Sequence, residues 1–168
     1  SNLSQVYDFI FGSHDAAAFI RREEEKLIET GERAEDESSK LSRRASQQEK
    51  AIERFNQRAT ITQELGKSIQ DNWEHVDEIL TQLSSAVDEK GWHDVAEISR
   101  EVVWVDSVDP SKHTFVAYLP DEDGDPGAKV TLESSKTVHQ NAQRYFEEAR
   151  TQKNKAKGAQ EALEKTER

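Results

Sequence analysis

The groups best suited to chemistry in this chain are an acidic turn, five histidines, three tryptophans and a late basic stretch. The turn "DEDGDPG" puts aspartates at alternate positions, as a calcium-binding EF-hand loop does. Such a loop takes Asp at positions one, three and five, Gly at six and Glu at twelve. Counted from Asp121, Asp123 and Asp125 fit, but Gly124 falls at four, Pro126 at six and Leu132 at twelve. The spacing therefore predicts a solvated hairpin turn, whose charge also discourages strand-edge pairing. His14, His75, His93, His113 and His139 include no i,i+4 pair and no H-E-x-x-H motif. Solvated histidines, or histidines near helix N-termini, are expected rather than a zinc site. Cysteine is absent, which removes disulfides, thiolate metal sites and cysteine nucleophiles together. No G-x-S-x-G, phosphate-binding loop or dinucleotide fingerprint is present, so the chain is expected to be non-catalytic, with no metal and no cofactor.

Binding is the more promising chemistry. Trp73, Trp92 and Trp104 all fall in the middle of the chain. They either form the core of a small domain or include a partner anchor, since an exposed Trp often dominates binding energy. Arg150, Lys153, Lys155 and Lys157 form either a solvated face or a contact for phosphate, as in rRNA. Lys153 and Lys157 share a helical face, with Arg150 near it.

Composition narrows the classes. The charged fraction is 34% and the hydrophobic fraction 33%, with mean hydropathy −0.94. That is more polar than a compact globule of this length and suits an elongated helical protein with a narrow apolar seam. Residues 71–133 carry 4 Lys/Arg against 16 Asp/Glu, while residues 134–168 carry 8 against 5. The middle is thus a poor nucleic-acid surface, because such binding gains mainly from neutralising phosphates. A salt-adapted host would give the same acidity. No apolar run reaches membrane-spanning length and no signal-peptide pattern appears, so a cytoplasmic protein without membrane contact is expected. The start at Ser1-Asn2 and the lack of Met predict an excised fragment, with residues 1–14 a flank carrying a tag remnant.

The elements that must position these groups follow from periodicity. Ile20, Leu27, Ala34, Leu41 and Phe55 share one heptad position, with Gln48 between them, and Ala45, Ile52 and Ala59 interleave. This predicts a first coiled-coil helix over 15–65. Val138, Ala142, Tyr145, Ala149, Gln152, Ala156, Ala159 and Leu163 alternate steps of four and three, which predicts a second coiled-coil helix over 135–168. Its small seam residues let helix axes approach, with Leu41, Ile52 and Phe55 of the first helix as knobs. Tyr145 lies on the seam, while Phe146, about 100° further round, is free to pack at the junction. The intervening residues 66–134 are expected to form a small α+β domain. There Ile69, Trp73, Val76, Leu80, Leu83 and Val87 have helical spacing, Gly91 ends that helix, and "WHDVAEI" starts another. "VVWVDSV", "TFVAYL" and "AKVTLE" read as three short antiparallel strands. The whole is α+β, mainly α: an antiparallel coiled-coil hairpin with a small domain at its tip.

The order of pieces resembles the middle region of the NFACT family, the RqcH-type factors of ribosome-associated quality control. Bacterial and archaeal members also carry the older name fibronectin-binding, or FbpA-like, proteins. The family pattern "G-x-x-I-x-x-N-x-x-x-V-x-x-I" falls on Gly66, Ile69, Asn72, Val76 and Ile79. Trp92 matches a "W-x-x-I" segment, although Val95 stands at its isoleucine position. The pattern "N-A-x-x-Y-[YF]" falls on Asn141, Ala142, Tyr145 and Phe146, followed by Lys153, Lys155, Ala162 and Leu163. The resemblance covers the chain from about residue 15 onward. It implies a non-catalytic module of a multidomain protein that binds the large ribosomal subunit carrying an obstructed nascent chain. It implies contact with ribosomal protein, rRNA or a ubiquitin ligase, while tRNA would be handled by domains outside this chain. Two other readings stand beside it: a generic coiled-coil interaction scaffold or dimeriser, and a surface adhesin as the older name suggests.

Overall fold

A computed structural model describes residues 13–167 of the chain, with side chains over 18–166. The element order is α1 (Ser13–Asp71), α2 (Trp73–Lys90), α3 (Trp92–Ile98), a 3-10 turn (Ser99–Glu101), β1 (Val105–Asp109), β2 (Thr114–Pro120), β3 (Pro126–Glu133) and α4 (Val138–Glu167). The protein is α+β and mainly α, with one three-stranded antiparallel sheet in the order β1-β2-β3. Most of the flank expected over 1–14 lies outside the described residues; its last two residues are helical. The chain divides into two compact units, one of residues 1–50 with 162–168 and one of residues 51–161.

The larger unit owes its core to two periodicities meeting. On β2, Phe115, Ala117 and Leu119 alternate inward, and Phe115 pairs with Leu132, Ala117 with Val130 across β3. Strand side chains alternate faces, so this register puts one apolar row on one side of the sheet. α2 covers that row with Val76, Ile79, Leu80 and Leu83, spaced by three and four so that they share a face. Ile69 of α1 and Ala142 of α4 close the cluster, both fully buried.

Within this unit α1 and α4 run antiparallel. A side chain at Gly66 would meet Phe146, while Thr62, one turn earlier, shares a groove with Glu148 and Thr151 further along α4. The seven predicted seam positions of α4 in this unit, Val138 to Ala159, are buried or half-buried, with Ala142, Ala149, Gln152 and Ala156 among the most enclosed. Small seam residues permit this close approach. Gly66 is the extreme case, because a Cβ there would lie 2.8 Å from the Phe146 ring.

Three expectations need correction. The helix of Ile69 and Trp73 is two helices: α1 runs on to Asp71 and the chain turns at Asn72 (φ −110°, ψ 33°) before α2 begins. There the Asn72 side-chain amide and its backbone N–H both donate to the Ser68 carbonyl, at 2.9 and 3.0 Å. β1 starts at Val105, so Trp104 precedes the strand, and the β1–β2 register shifts between Val105 and Ser107. The heptads of the smaller unit are not buried either. Residues 21–44 are exposed throughout, Leu27 by 73% and Leu41 by 51%. Leu41 is thus no knob, whereas Ile52 and Phe55 are half-buried. Over that exposed span local ion pairs supply what support there is, Lys26–Glu23, Arg33–Glu29 and Lys40–Asp36.

Candidate interaction site

The motif "N-A-x-x-Y" reads out as architecture. Asn141 and Tyr145 are four apart, about 6 Å along a helix, and Glu133 and Thr131 are two apart, about 6.6 Å along a strand. The two repeats match. The Glu133 N–H donates to Asn141 Oδ1 at 2.8 Å and the Thr131 N–H donates to the Tyr145 hydroxyl oxygen at 2.7 Å. These two amides of edge strand β3 are thus occupied by α4, which blunts an edge otherwise open to another strand. Asn141, 1% exposed, also donates through Nδ2 to the carbonyls of Glu133, Lys136 and Thr137. Tyr145→Phe keeps the packing and leaves the Thr131 N–H without its acceptor. A loss of about 1 to 2 kcal/mol in urea-unfolding free energy is expected; no change would show that water replaces the phenol.

Glu133 ties the same corner by charge. Its carboxylate meets Lys136 Nζ at 2.8 Å and Arg144 Nη1 at 3.1 Å. Lys136 first, then Arg144, holds it below its ordinary value of 4.5. A depressed carboxylate stabilises the fold fully above the unfolded value and loses that contribution as pH falls through the folded one. The Tm gap between the protein and Glu133→Gln should therefore be largest near neutrality and shrink below pH 4.5. A gap constant down to pH 3 would contradict it.

The three tryptophans separate. Trp73 is 55% exposed at the start of α2. Trp92 and Trp104 are half-buried against the core. Trp92 stacks flat on His113, with ring centroids 4.7 Å apart, and His113 itself has φ 56° in the turn before β2. Trp104 meets His75 edge-to-face at 4.5 Å, and His75 Nε2 bonds the Tyr118 carbonyl at 3.1 Å. Of the two expectations for the histidines, His75 meets the second: it lies in the first turn of α2, half-buried and partnered across 43 residues of sequence. That contact depends on tertiary folding, so no local signal marked it.

Next to Trp104 the surface is hollowed into a cavity of about 150 Å³. Ile79, Leu83 and Ala86 of α2 form one wall, and Val95, Ile98 and Val102 the other. Ile98 and Val102 are each 43% exposed, and Gln82, Lys90 and Ser99 add polar groups to the lining. Sequence reasoning passed over these aliphatic residues, because only their convergence makes a site.

The basic stretch is only partly gathered. Arg150, Lys153 and Lys157 are exposed along one face of α4, with Glu147 and Glu161 on the same face above and below them. Lys155 is turned about 200° from Lys153. The acidic turn is a hairpin in which Asp121 Oδ1 accepts the N–H groups of Asp123 and Asp125, both at 2.9 Å, and Gly124 takes φ 84°. No group of three or more potential metal ligands is assembled among the described residues. On the sheet's outer face Asp106 accepts from the Tyr118 hydroxyl at 2.7 Å and pairs with Lys129 at 3.4 Å. The phenol, more than the lysine, keeps its carboxyl below the usual range.

No protein of curated function matches the chain. The profile of the NFACT N-terminal and middle domains matches residues 1–168, which is the whole of it. The residues quoted for the resemblance now have physical roles: Asn141 and Tyr145 hold β3, Ala142 and Val76 lie in the core, Asn72 turns the chain, and Phe146 covers Gly66. On that match the chain belongs to the NFACT family.

Proposed function

We propose that this chain is a non-catalytic contact module of a cytoplasmic ribosome-associated quality-control factor. It docks on the large ribosomal subunit that carries an obstructed nascent chain, while tRNA is handled by other domains of the factor. Family membership over residues 1–168 is the observation that carries this reading. The acidity of residues 71–133 favours ribosomal protein over rRNA as the partner of the small domain. The Arg150, Lys153 and Lys157 face is the better candidate for rRNA. None of the described helices is long and apolar enough to cross a membrane. Co-sedimentation of the full-length factor with large subunits, with and without residues 15–165, tests the proposal. Binding should fall on deletion, and undiminished binding would refute a contact role.

A second reading, self-association, is favoured by the exposure of Leu27, Ile28 and Leu41 on α1. Such positions are where a coiled-coil partner would pack. Sedimentation equilibrium separates the two, since a scaffold would form a stable dimer without ribosomes.

A further inference from the structure

We propose that the cavity between α2 and α3 binds a small organic carboxylate carrying one aliphatic or aromatic group. The proposal concerns the small domain alone and goes beyond the ribosomal reading, so either can fail without the other.

The lining sets both ends of the ligand. Eight of its eleven residues are apolar, Ile79, Leu83, Val95 and Trp104 among them. A cavity of about 150 Å³ with such walls accepts a benzene-sized group. One branched aliphatic or phenyl group therefore fills it, exchanging water for hydrocarbon.

The polar end has one sign. Lys90, in the last turn of α2, is the one charged residue of the lining. It has no ion-pair partner among the described residues. Ser99 Oγ already donates its only proton to the Ala96 carbonyl at 2.9 Å, and the Gln82 amide is engaged by Glu78 at 3.3 Å. The Lys90 ammonium is thus left uncommitted at the cavity. One ammonium matches one carboxylate, whereas a phosphate, with more charge and a third oxygen, asks for more donors than the lining holds. Asp88, Glu89 and Asp94 are near in the chain but do not line the cavity. Salt damps their repulsion of an anion over about 8 Å, while a seated carboxylate meets Lys90 in contact. The competing account is that the Lys90 stem merely shields apolar surface while its ammonium stays in water. That account makes no distinction between an acid and its amide.

The test titrates the full chain with isocaproate and hydrocinnamate and with their primary amides. Proton–nitrogen NMR reads the Trp104 indole N–H and the backbone amides of the lining. Each acid should bind about fivefold tighter than its amide. Acetate, which keeps the charge and lacks the apolar group, should bind at least about tenfold more weakly than isocaproate. Lys90→Gln, at an exposed position, should abolish the preference for acid and leave the amide's affinity unchanged. Ala86→Leu, which fills the cavity, should weaken acid and amide alike by about tenfold. If Ala86→Leu fails to fold, Lys90→Gln carries the test. Equal binding of acid and amide, a preference that survives Lys90→Gln, shifts centred outside the lining, or no binding at millimolar ligand would each overturn the proposal. So would a peptide acid ending in leucine that binds tighter than isocaproate, since the ligand would then be a chain terminus.

Discussion

Asn141→Ala is expected to lower folding stability by about 3 kcal/mol, roughly 10 °C in Tm. The amide accepts one backbone N–H and donates to three backbone carbonyls in a place water does not reach. Removing it leaves the Glu133 N–H without its acceptor and the Lys136 carbonyl without its side-chain donor, at about 1 to 3 kcal/mol for each that water cannot rescue, while the Glu133 and Thr137 carbonyls keep the N–H groups of Lys136 and Asn141. Asn141→Asp makes the argument sharper. The carboxylate can still accept the Glu133 N–H, but it points negative charge at oxygens that were accepting hydrogen bonds. Burial raises its folded pKa, so the destabilisation grows as pH rises above the unfolded value of about 4. Urea melts at pH 7 and pH 4 should show the aspartate variant well below the alanine variant at pH 7 and closer to it at pH 4. Equal melts for alanine and wild type would mean the network contributes nothing.

Gly66→Leu is expected to lose about 3 kcal/mol, and the more telling variant is the smaller Gly66→Ala. Two effects oppose there. Alanine favours helix over glycine by about 1 kcal/mol. Its Cβ, however, would lie 2.8, 3.0 and 3.2 Å from three ring atoms of Phe146. The ring also packs against the core cluster, which limits its retreat. The clash should win by about 1 kcal/mol. In the Phe146→Ala background the ring is gone and only the propensity remains, so Gly66→Ala should become stabilising. A double-mutant cycle by chemical denaturation measures that reversal. An unchanged sign would show that Phe146 does not set the identity of residue 66.

How much of this was legible in the sequence depends on the range of the contact. The α4 seam was readable because small residues at steps of three and four have one use, close helix packing. The strands were readable from β-branched runs between turn residues, though β1 begins later than "VVWVDSV" suggests, since Val102 and Val103 face solvent. The heptads of α1 misled for residues 21–44. A heptad states what a helix can bury, and only a partner decides whether it does. His75, His113 and the cavity beside Trp104 were invisible for a different reason. Each joins residues distant in sequence, as with His75 and Tyr118, and no single residue type among them signals a site.

The bare span of α1 has an experimental consequence. Residues 21–44 contribute helical signal in the far ultraviolet, yet every tryptophan lies between residues 73 and 104. Most helical stability in a protein comes from packing of a buried face, which this span lacks, and its ion pairs add only about 0.3–0.5 kcal/mol each. Its unwinding would also expose almost no new apolar surface, so a calorimeter would register little heat-capacity change. Heating should therefore give two records that do not coincide. Ellipticity at 222 nm should drift downward from low temperature, while tryptophan emission holds steady until the sheet and α2 come apart together.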